Sequence, residues 1–240
     1  MTSHLMIPDT QIKPGVKTDH IQWANNFIRD RKPDKVIIIG DWWDMPSLSS
    51  WKTMKDEVDG QTYKADIEAG MEALATLTRR TNAKYYFCTG NHEHRITRYV
   101  EKFPVLAGSI STLDCDVEKF GIKRSEFLKP IKIDGVFYNH YFHPDHNTRN
   151  AHPSAKALLQ RECRSCTMGH VQKLETAMQK CTDGTYIRGL IAGSFYQHDE
   201  EYRGPMGNNH WRGILFKENV KQGMYDLREI SLHSLKNDYQ

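Results

Sequence analysis

Apolar residues along this chain fall into two rhythms that alternate: short solid runs and helical stripes. "HLMI" (His4 to Ile7), "KVIII" (Lys35 to Ile39) and "KYYFC" (Lys84 to Cys88) are runs rich in β-branched and aromatic residues, the pattern of buried strands. Between the first two, Asp19 to Arg31 sets Ile21, Ala24, Phe27 and Ile28 on one helical face, with Asp19 as the expected N-cap and Pro33 as the stop. Lys64 to Thr81 predicts a second helix, where Ile67, Met71, Leu74 and Leu77 recur at helical spacing. Strands alternating with helices imply crossover connections and a parallel sheet.

Beyond about residue 130 the texture changes. "IKIDGVFYNHYF" predicts a hairpin turning at Asp134-Gly135. "SCTMGH", "KLETAMQ", "TYIRGLIAGSF", "WRGILFKENV" and "MYDLREISLH" read as further short strands, and Pro153 to Arg161 as one intervening helix. No repeat, low-complexity tract or linker divides the 240 residues, so one mixed α/β domain over 1–240 is expected.

The polar residues then fall into place at strand ends. Asp9 follows the first strand, Asp41 and Asp44 the second, and Asn91 and His92 the third; His140 and His170 close two later ones. The carboxyl ends of parallel strands are where ligands bind. Singly, these are common turn and cap residues; jointly they describe a site. Carboxylates gathered without a cation would repel one another, so a bound metal is expected. Mixed oxygen and imidazole donors suit manganese, iron, zinc or magnesium, and so many donors suit two ions about 3.5 to 4 Å apart sharing one carboxylate.

Charge and cysteine content narrow the picture without redirecting it. With 33 basic against 30 acidic residues the formal charge is +3, too mild for a protein that coats polyanions, so any phosphate affinity must be local. The five cysteines include a C-x-x-C at Cys163 and Cys166, but no second pair at zinc-ribbon spacing, and are expected to be buried or idle thiols. No run approaches the roughly 20 apolar residues of a membrane span, and no signal-peptide core is evident, so a cytoplasmic location is expected, with no membrane partner.

Asp9-Thr10-Gln11, "GDWWD" (Gly40 to Asp44), "GNHE" (Gly90 to Glu93), His140 and "GHVQ" (Gly169 to Gln172) resemble, in order and spacing, the five motif blocks of the calcineurin-like metallophosphoesterases. The blocks span about two thirds of the chain. The resemblance implies a four-layer αββα fold, two mixed β-sheets packed as a sandwich and flanked by helices, without a separate capping domain. It implies that Asp41 bridges two metals, that Asn91, His140 and His170 complete one site, and that Asp9, Gln11 and Gln172 belong to the other. From the residues alone, His143 or His146 could replace His140 as ligand.

His92 resembles the family's histidine that faces the substrate phosphate and protonates the leaving oxygen, with Asp44 behind it holding the ring and favouring its charged form. The family's histidines at the third position of the first block and the last of the fifth are here Gln11 and Gln172. A neutral amide oxygen keeps the charge of the site but is a harder, weaker donor. One firm and one weaker, exchangeable metal are therefore expected, manganese foremost, with magnesium, iron, zinc or nickel as alternatives. The paired glutamines are similar to those of metallophosphoesterases borne by bacteriophages, which would place the protein in the host cytoplasm.

The implied reaction is hydrolysis of a phosphoester by direct attack of metal-bound hydroxide, with no covalent intermediate. Arg95, Arg98 and Lys102 share one helix face starting beside the site, either a solvated stripe or, for Arg95 and Arg98, substrate-phosphate contacts. Trp42, Trp43 and "NNHWR" (Asn208 to Arg212) offer aromatics that stack on bases or fill cores. A phosphodiesterase acting on nucleic acid or nucleotides is the first expectation. A phosphomonoesterase is second, and a catalytically weak binding scaffold on the same fold is the rival from a different class. "DEEYRGPMGNN" (Asp199 to Asn209) reads as a long loop bordering the cleft.

Overall fold

Strand β1 (Thr2–Ile7) lies at the centre of the first sheet, and its alternating side chains explain the layering. Leu5 and Ile7 face one apolar core while Met6 faces another, so the strand is buried on both sides. The same split recurs on β2 (Lys35–Ile38), where Val36 and Ile38 face the first core and Ile37 the second. The computed structural model describes residues 1–49, 62–142, 154–199 and 210–240. His143, His146, Pro153, Asn208, Asn209 and all but the first residue of the expected 199–209 loop lie outside that range.

The element order is β1, α1 (Asp19–Arg31), β2, α2 (Tyr63–Thr78), β3 (Lys84–Cys88), α3 (Arg95–Lys102), β4 (Lys123–Ser125), β5 (Ile131–Ile133), β6 (Val136–Asn139), α4 (Ala155–Glu162), β7 (Cys166–Met168), β8 (Leu174–Lys180), β9 (Tyr186–Ala192), β10 (Gly213–Lys221), β11 (Met224–Ser231) and α5 (Leu232–Tyr239). Short 3₁₀ turns connect several of them. One sheet runs β11-β10-β1-β2-β3-β4, parallel from β1 to β4 and antiparallel at β10 and β11. The other runs β5-β6-β7-β9-β8, with β6, β7 and β9 parallel. The fold is thus α/β with two mixed sheets.

Three apolar cores hold these layers. One packs α1, α2 and Leu235 of α5 onto the outer face of the first sheet. A second lies between the sheets, joining Met6, Ile37 and Leu215 to Val136, Tyr138 and Leu190. The third seats Ala155 and Leu158 of α4 on Cys166, Met168 and Ile191.

Local chemistry sets the element ends. Helix α1 spans the expected residues, but Thr18 is its N-cap and Asp19 its first helical residue; Lys32 ends it in the left-handed region before Pro33. Helix α2 starts at the Thr62 cap and stops at Thr78, three residues before the expected end, where Arg79 turns extended. The hairpin turns at Asp134 and Gly135, both at positive φ, as a two-residue turn of that kind requires. Strand β4 was not anticipated, because "KRS" at a sheet edge carries no apolar signal. The run read as a last strand through His233 stops at Ser231, whose hydroxyl accepts the Ser234 N–H and caps α5 instead.

Candidate metal centre

The loops leaving β1 and β2 are bonded to each other before any side chain contributes. The N–H groups of Thr10 and Gln11 donate to the Asp41 carbonyl, Ile12 donates to Trp42, and Asp44 donates back to Ile12. The loops after β6 and β7 join in the same way, through Gly169 N–H to the His140 carbonyl. Several turns so formed are forced: Gln11, Asp41, Met45, His170 and Gln172 all have φ between +45° and +65°. Non-glycine residues held there cost free energy and cluster where side chains must be aimed.

Glycines let the loops approach. A Cβ on Gly90 would lie 2.3 Å from Asp41 Oδ1, and one on Gly169 would lie 2.3 Å from Asp9 Oδ1. Glu93, to which the sequence had assigned no role, clamps the loops. Its Oε2 accepts the N–H groups of Gly90 at 2.7 Å and Asp41 at 3.1 Å, and its Oε1 accepts that of Trp43 at 3.1 Å. Trp42 and Trp43 are fully buried, their indole N–H groups donating to Gly70 and Ile67 of α2, so neither stacks on a ligand.

Within this frame Asp41, His140 and His170 offer ligand atoms within 4.8 Å of one another, close enough to hold one metal ion. Asn91 joins them: its Oδ1 lies 3.0 Å from His140 Nε2 and 2.8 Å from His170 Nδ1. His140 Nε2 is also 3.2 Å from Asp41 Oδ2. His140 Nδ1 lies 3.0 Å from the Ile39 carbonyl, which can only accept, so Nδ1 carries the proton. In the neutral ring, Nε2 is then a bare lone pair facing two oxygen lone pairs. That arrangement is repulsive unless Nε2 is protonated or a cation lies among the three atoms, and a backbone carbonyl behind the ring is the usual orientation of a metal-ligating histidine.

The protonation pattern shows the same strain. Burial pushes the Asp9 carboxyl up to about 7, helped by the Asp41 charge, although His140 pulls the other way. Burial also opposes ionisation of Asp41, yet the charges and hydrogen bonds of His140 and His92 outweigh it and hold Asp41 well below the usual carboxylate range. His140 rises to about 9: burial works against it, but Asp41, Asp9 and Glu93 prevail. Without a cation the site therefore keeps Asp9 close to neutral and protonates an imidazole, as expected of acids crowded out of water.

Asp9 is fully buried, and its two oxygens accept the His170 N–H at 3.2 and 3.0 Å. Gln11 Oε1 is buried and has no hydrogen-bond partner among the described residues, an acceptor aimed into the protein with nothing to receive. Gln172 differs: its Oε1 accepts the Tyr196 hydroxyl at 2.9 Å, and that hydroxyl lies 3.1 Å from His210 Nε2. The glutamines are therefore inequivalent, one carbonyl waiting and the other engaged.

His92 stands beside the cluster, its N–H donating to Asp41 Oδ1 at 2.9 Å. Its Nδ1 donates to the Asp44 carbonyl at 2.9 Å and lies 3.2 Å from Asp44 Oδ1, the placement expected of Asp44. Lys13, which the sequence reading passed over, reaches Asp44 Oδ2 at 3.0 Å and helps hold that carboxylate ionised. Burial opposes the charged form of His92, but Asp41 and Asp44 raise its pKa. Arg95 works against them: its Nη2 lies 2.9 Å from His92 Nε2, a contact that needs the ring's lone pair, while Nη1 donates to the Asp44 carbonyl at 2.6 Å. Arg95 is thus turned into the site, whereas Arg98 and Lys102 are exposed.

Cys88 and Cys166 are buried and Cys163 exposed; all are free thiols. No helix among the described residues is long and apolar enough to cross a membrane.

Among curated proteins, the chain is similar to the Gene 54 protein of Mycobacterium phage D29, with 36% identity over 100 residues, 41% of this chain and 39% of that protein. It is also similar to the Gene 54 protein of Mycobacterium phage L5, with 31% identity over 124 residues, 49% of this chain and 48% of that protein. The matched stretch spans less than half of either relative. No protein-family model matches the chain. The relatives shared by sequence are thus phage proteins.

Proposed function

We propose that this chain is a dinuclear-metal-dependent phosphoesterase of the calcineurin-like type, hydrolysing phosphodiesters of nucleic acid or nucleotides. The observation that carries the reading is His140: with Nδ1–H committed to a backbone carbonyl, Nε2 is aimed at the Asn91 amide and the Asp41 carboxylate, where a proton or a cation relieves the repulsion from the carboxylate oxygen. Asp41, Asn91, His140 and His170 would hold the firmer ion. Asp9 and Gln11 would hold the weaker one, sharing Asp41, with Gln172 available only if it releases Tyr196. Oxygen-rich donors with two imidazoles favour manganese. When bound, the pair would supply Lewis acidity and a nucleophile drawn from water near neutral pH.

The chain's own residues supply the remainder. His92, held by Asp44, is placed to pass a proton to a leaving oxygen. For that Arg95 must leave His92 Nε2 and the ring must take up a proton there from solvent, and an arriving phosphate offers the guanidinium a better acceptor. Binding of substrate and release of the acid are thereby coupled in one side chain.

The test is manganese-dependent hydrolysis of a chromogenic phosphodiester compared with its monoester, for the wild type and His92→Ala. Faster turnover of the diester, lowered about 10²-fold or more by the substitution, is expected. Preference for the monoester would transfer the reading to a phosphomonoesterase. Equal background rates for both proteins would favour a binding scaffold, which the engaged Gln172 carbonyl makes the natural second reading.

A further inference from the structure

Beyond the candidate ligands a line of aromatic rings runs outward. His170 faces Tyr141 with centroids 4.7 Å apart and an interplanar angle of 30°. Tyr141 meets Phe127 edge-on at 5.7 Å, and Phe127 stacks on His94 at 4.2 Å and 16°. The rings arrive from three places: the residue before α3, the turn after β4 and the end of β6. They are half-buried, unlike the fully buried Trp42 and Trp43, and Phe127 belongs to none of the three apolar cores. Phe127 is a phenyl ring on a polar turn outside every core, whereas Tyr141 packs against the third.

Charge marks the same face. Arg98 is exposed and lies one helical turn from His94. Half-buried rings beside a cation, beginning at a metal-type cluster, match a planar heterocycle attached to a phosphate. They do not match an apolar peptide or a lipid chain, which need a continuous greasy groove.

We propose that His94, Phe127 and Tyr141 form a stacking subsite for the nucleobase adjoining the phosphate, with Arg98 near the neighbouring phosphate of a strand. This rests on the phosphoesterase reading for its phosphate and adds to it the substrate's base. Recognition by stacking is tolerant of sequence, because every base presents a π-face.

Calorimetric titration of the manganese-loaded protein with thymidine 5′-thiophosphate and with inorganic thiophosphate tests it. The wild type should bind the nucleotide roughly tenfold more tightly or better. Phe127→Leu, which keeps bulk but loses the π-face, and His94→Leu should each remove most of that advantage while leaving thiophosphate affinity within about twofold. Circular dichroism of Phe127→Leu checks that the fold is kept. No nucleotide advantage in the wild type, or equal weakening of both ligands in the variants, overturns the subsite. The two readings separate cleanly. A base advantage without hydrolysis of the chromogenic diester sinks the enzyme and leaves the subsite; hydrolysis without a base advantage does the reverse.

Discussion

At the start of β1, His4 is fully buried in a cluster with Tyr138, Lys217 and Asp134; beyond its end, Asp9 is equally buried in one with Asp41, His140 and His170. Both clusters lie where the sheets meet, yet their histidines are paired differently. In the first, His4 Nδ1 takes the Tyr138 hydroxyl at 2.7 Å and Nε2 reaches Asp134 at 2.9 Å. Lys217 Nζ donates to Thr167 Oγ1 at 2.6 Å and Tyr138 at 3.2 Å, and lies over the rings of Tyr138 and Tyr225. Burial drives His4 down to about 4 and Lys217 well below its ordinary value, so those two groups tend to neutrality, while Lys35, Thr2 and His4 overcome burial to keep Asp134 ionised. His4, Tyr138 and Lys217 thus pair donor to acceptor. At the other end His140 Nε2 is matched to the oxygens around it only when it is protonated or a cation lies between them, and His140 is driven up instead. A buried polar cluster points to a ligand when its internal pairing fails, whatever its count of charged residues.

The largest expected effect breaks this contrast directly. Asp41→Asn removes the charge that both His140 and His92 face, and should abolish tight manganese binding in calorimetry and lower diester hydrolysis on the order of 10³-fold. Retention of both would make the site a second self-satisfied cluster like that around His4.

The protonation of the site gives the next effect. Asp9, raised to about 7, and His140, raised to about 9, both favour their protonated forms in the fold. Their contributions to the metal-free protein are complete below about 3.8 and 6.5, and are lost as pH rises through about 7 and 9 respectively. The unfolding free energy of the metal-free protein, from denaturant titrations, should therefore fall between pH 6 and 9 by an amount on the order of 3 kcal/mol, and manganese should reverse the trend. Asp9→Asn should stabilise the metal-free protein at pH 8 while weakening metal binding, since the amide carries no buried charge. Flat stability over this range would show that Asp9 and His140 are not strained.

How much of this contrast the sequence carried depends on distance along the chain. Asp9, Asp41, Asn91, His140 and His170 were legible because each follows a strand, and strand polarity places the first three at the carboxyl ends of one sheet and the two histidines at those of the other. Glu93 was quoted within its motif but its clamp was not, because the N–H groups it accepts are exposed only once three loops meet. The inequivalence of Gln11 and Gln172 depends on Tyr196, and the pairing of Lys217 with Tyr138 joins residues 79 positions apart. Such partners follow from register between sheets, which periodicity does not report. Trp42 and Trp43 left the choice between core and ligand open until α2 was seen against them.

Glu93→Gln sharpens the comparison with a smaller change. The amide keeps one acceptor oxygen but brings an NH₂ against backbone N–H groups that the carboxylate had received. A loss of about 1 to 3 kcal/mol in stability is expected. Metal affinity should also fall by about 10- to 100-fold, because Asp41 is no longer held. A stability loss with unchanged affinity would separate the clamp from the site.

The smallest effect is expected at the opposite end of β1. Lys217→Met replaces a buried amine, already disfavoured as a cation, with an apolar chain of similar length between the same two rings. The Tyr138 hydroxyl keeps His4, and Thr167 loses one donor, so stability should change by no more than about 1 kcal/mol, with a gain as acceptable as a loss. Metal titration should be unaltered. A large loss would mean that Lys217 is charged and needed there, and the two clusters would then differ in the sign of what they hold rather than in whether they are complete.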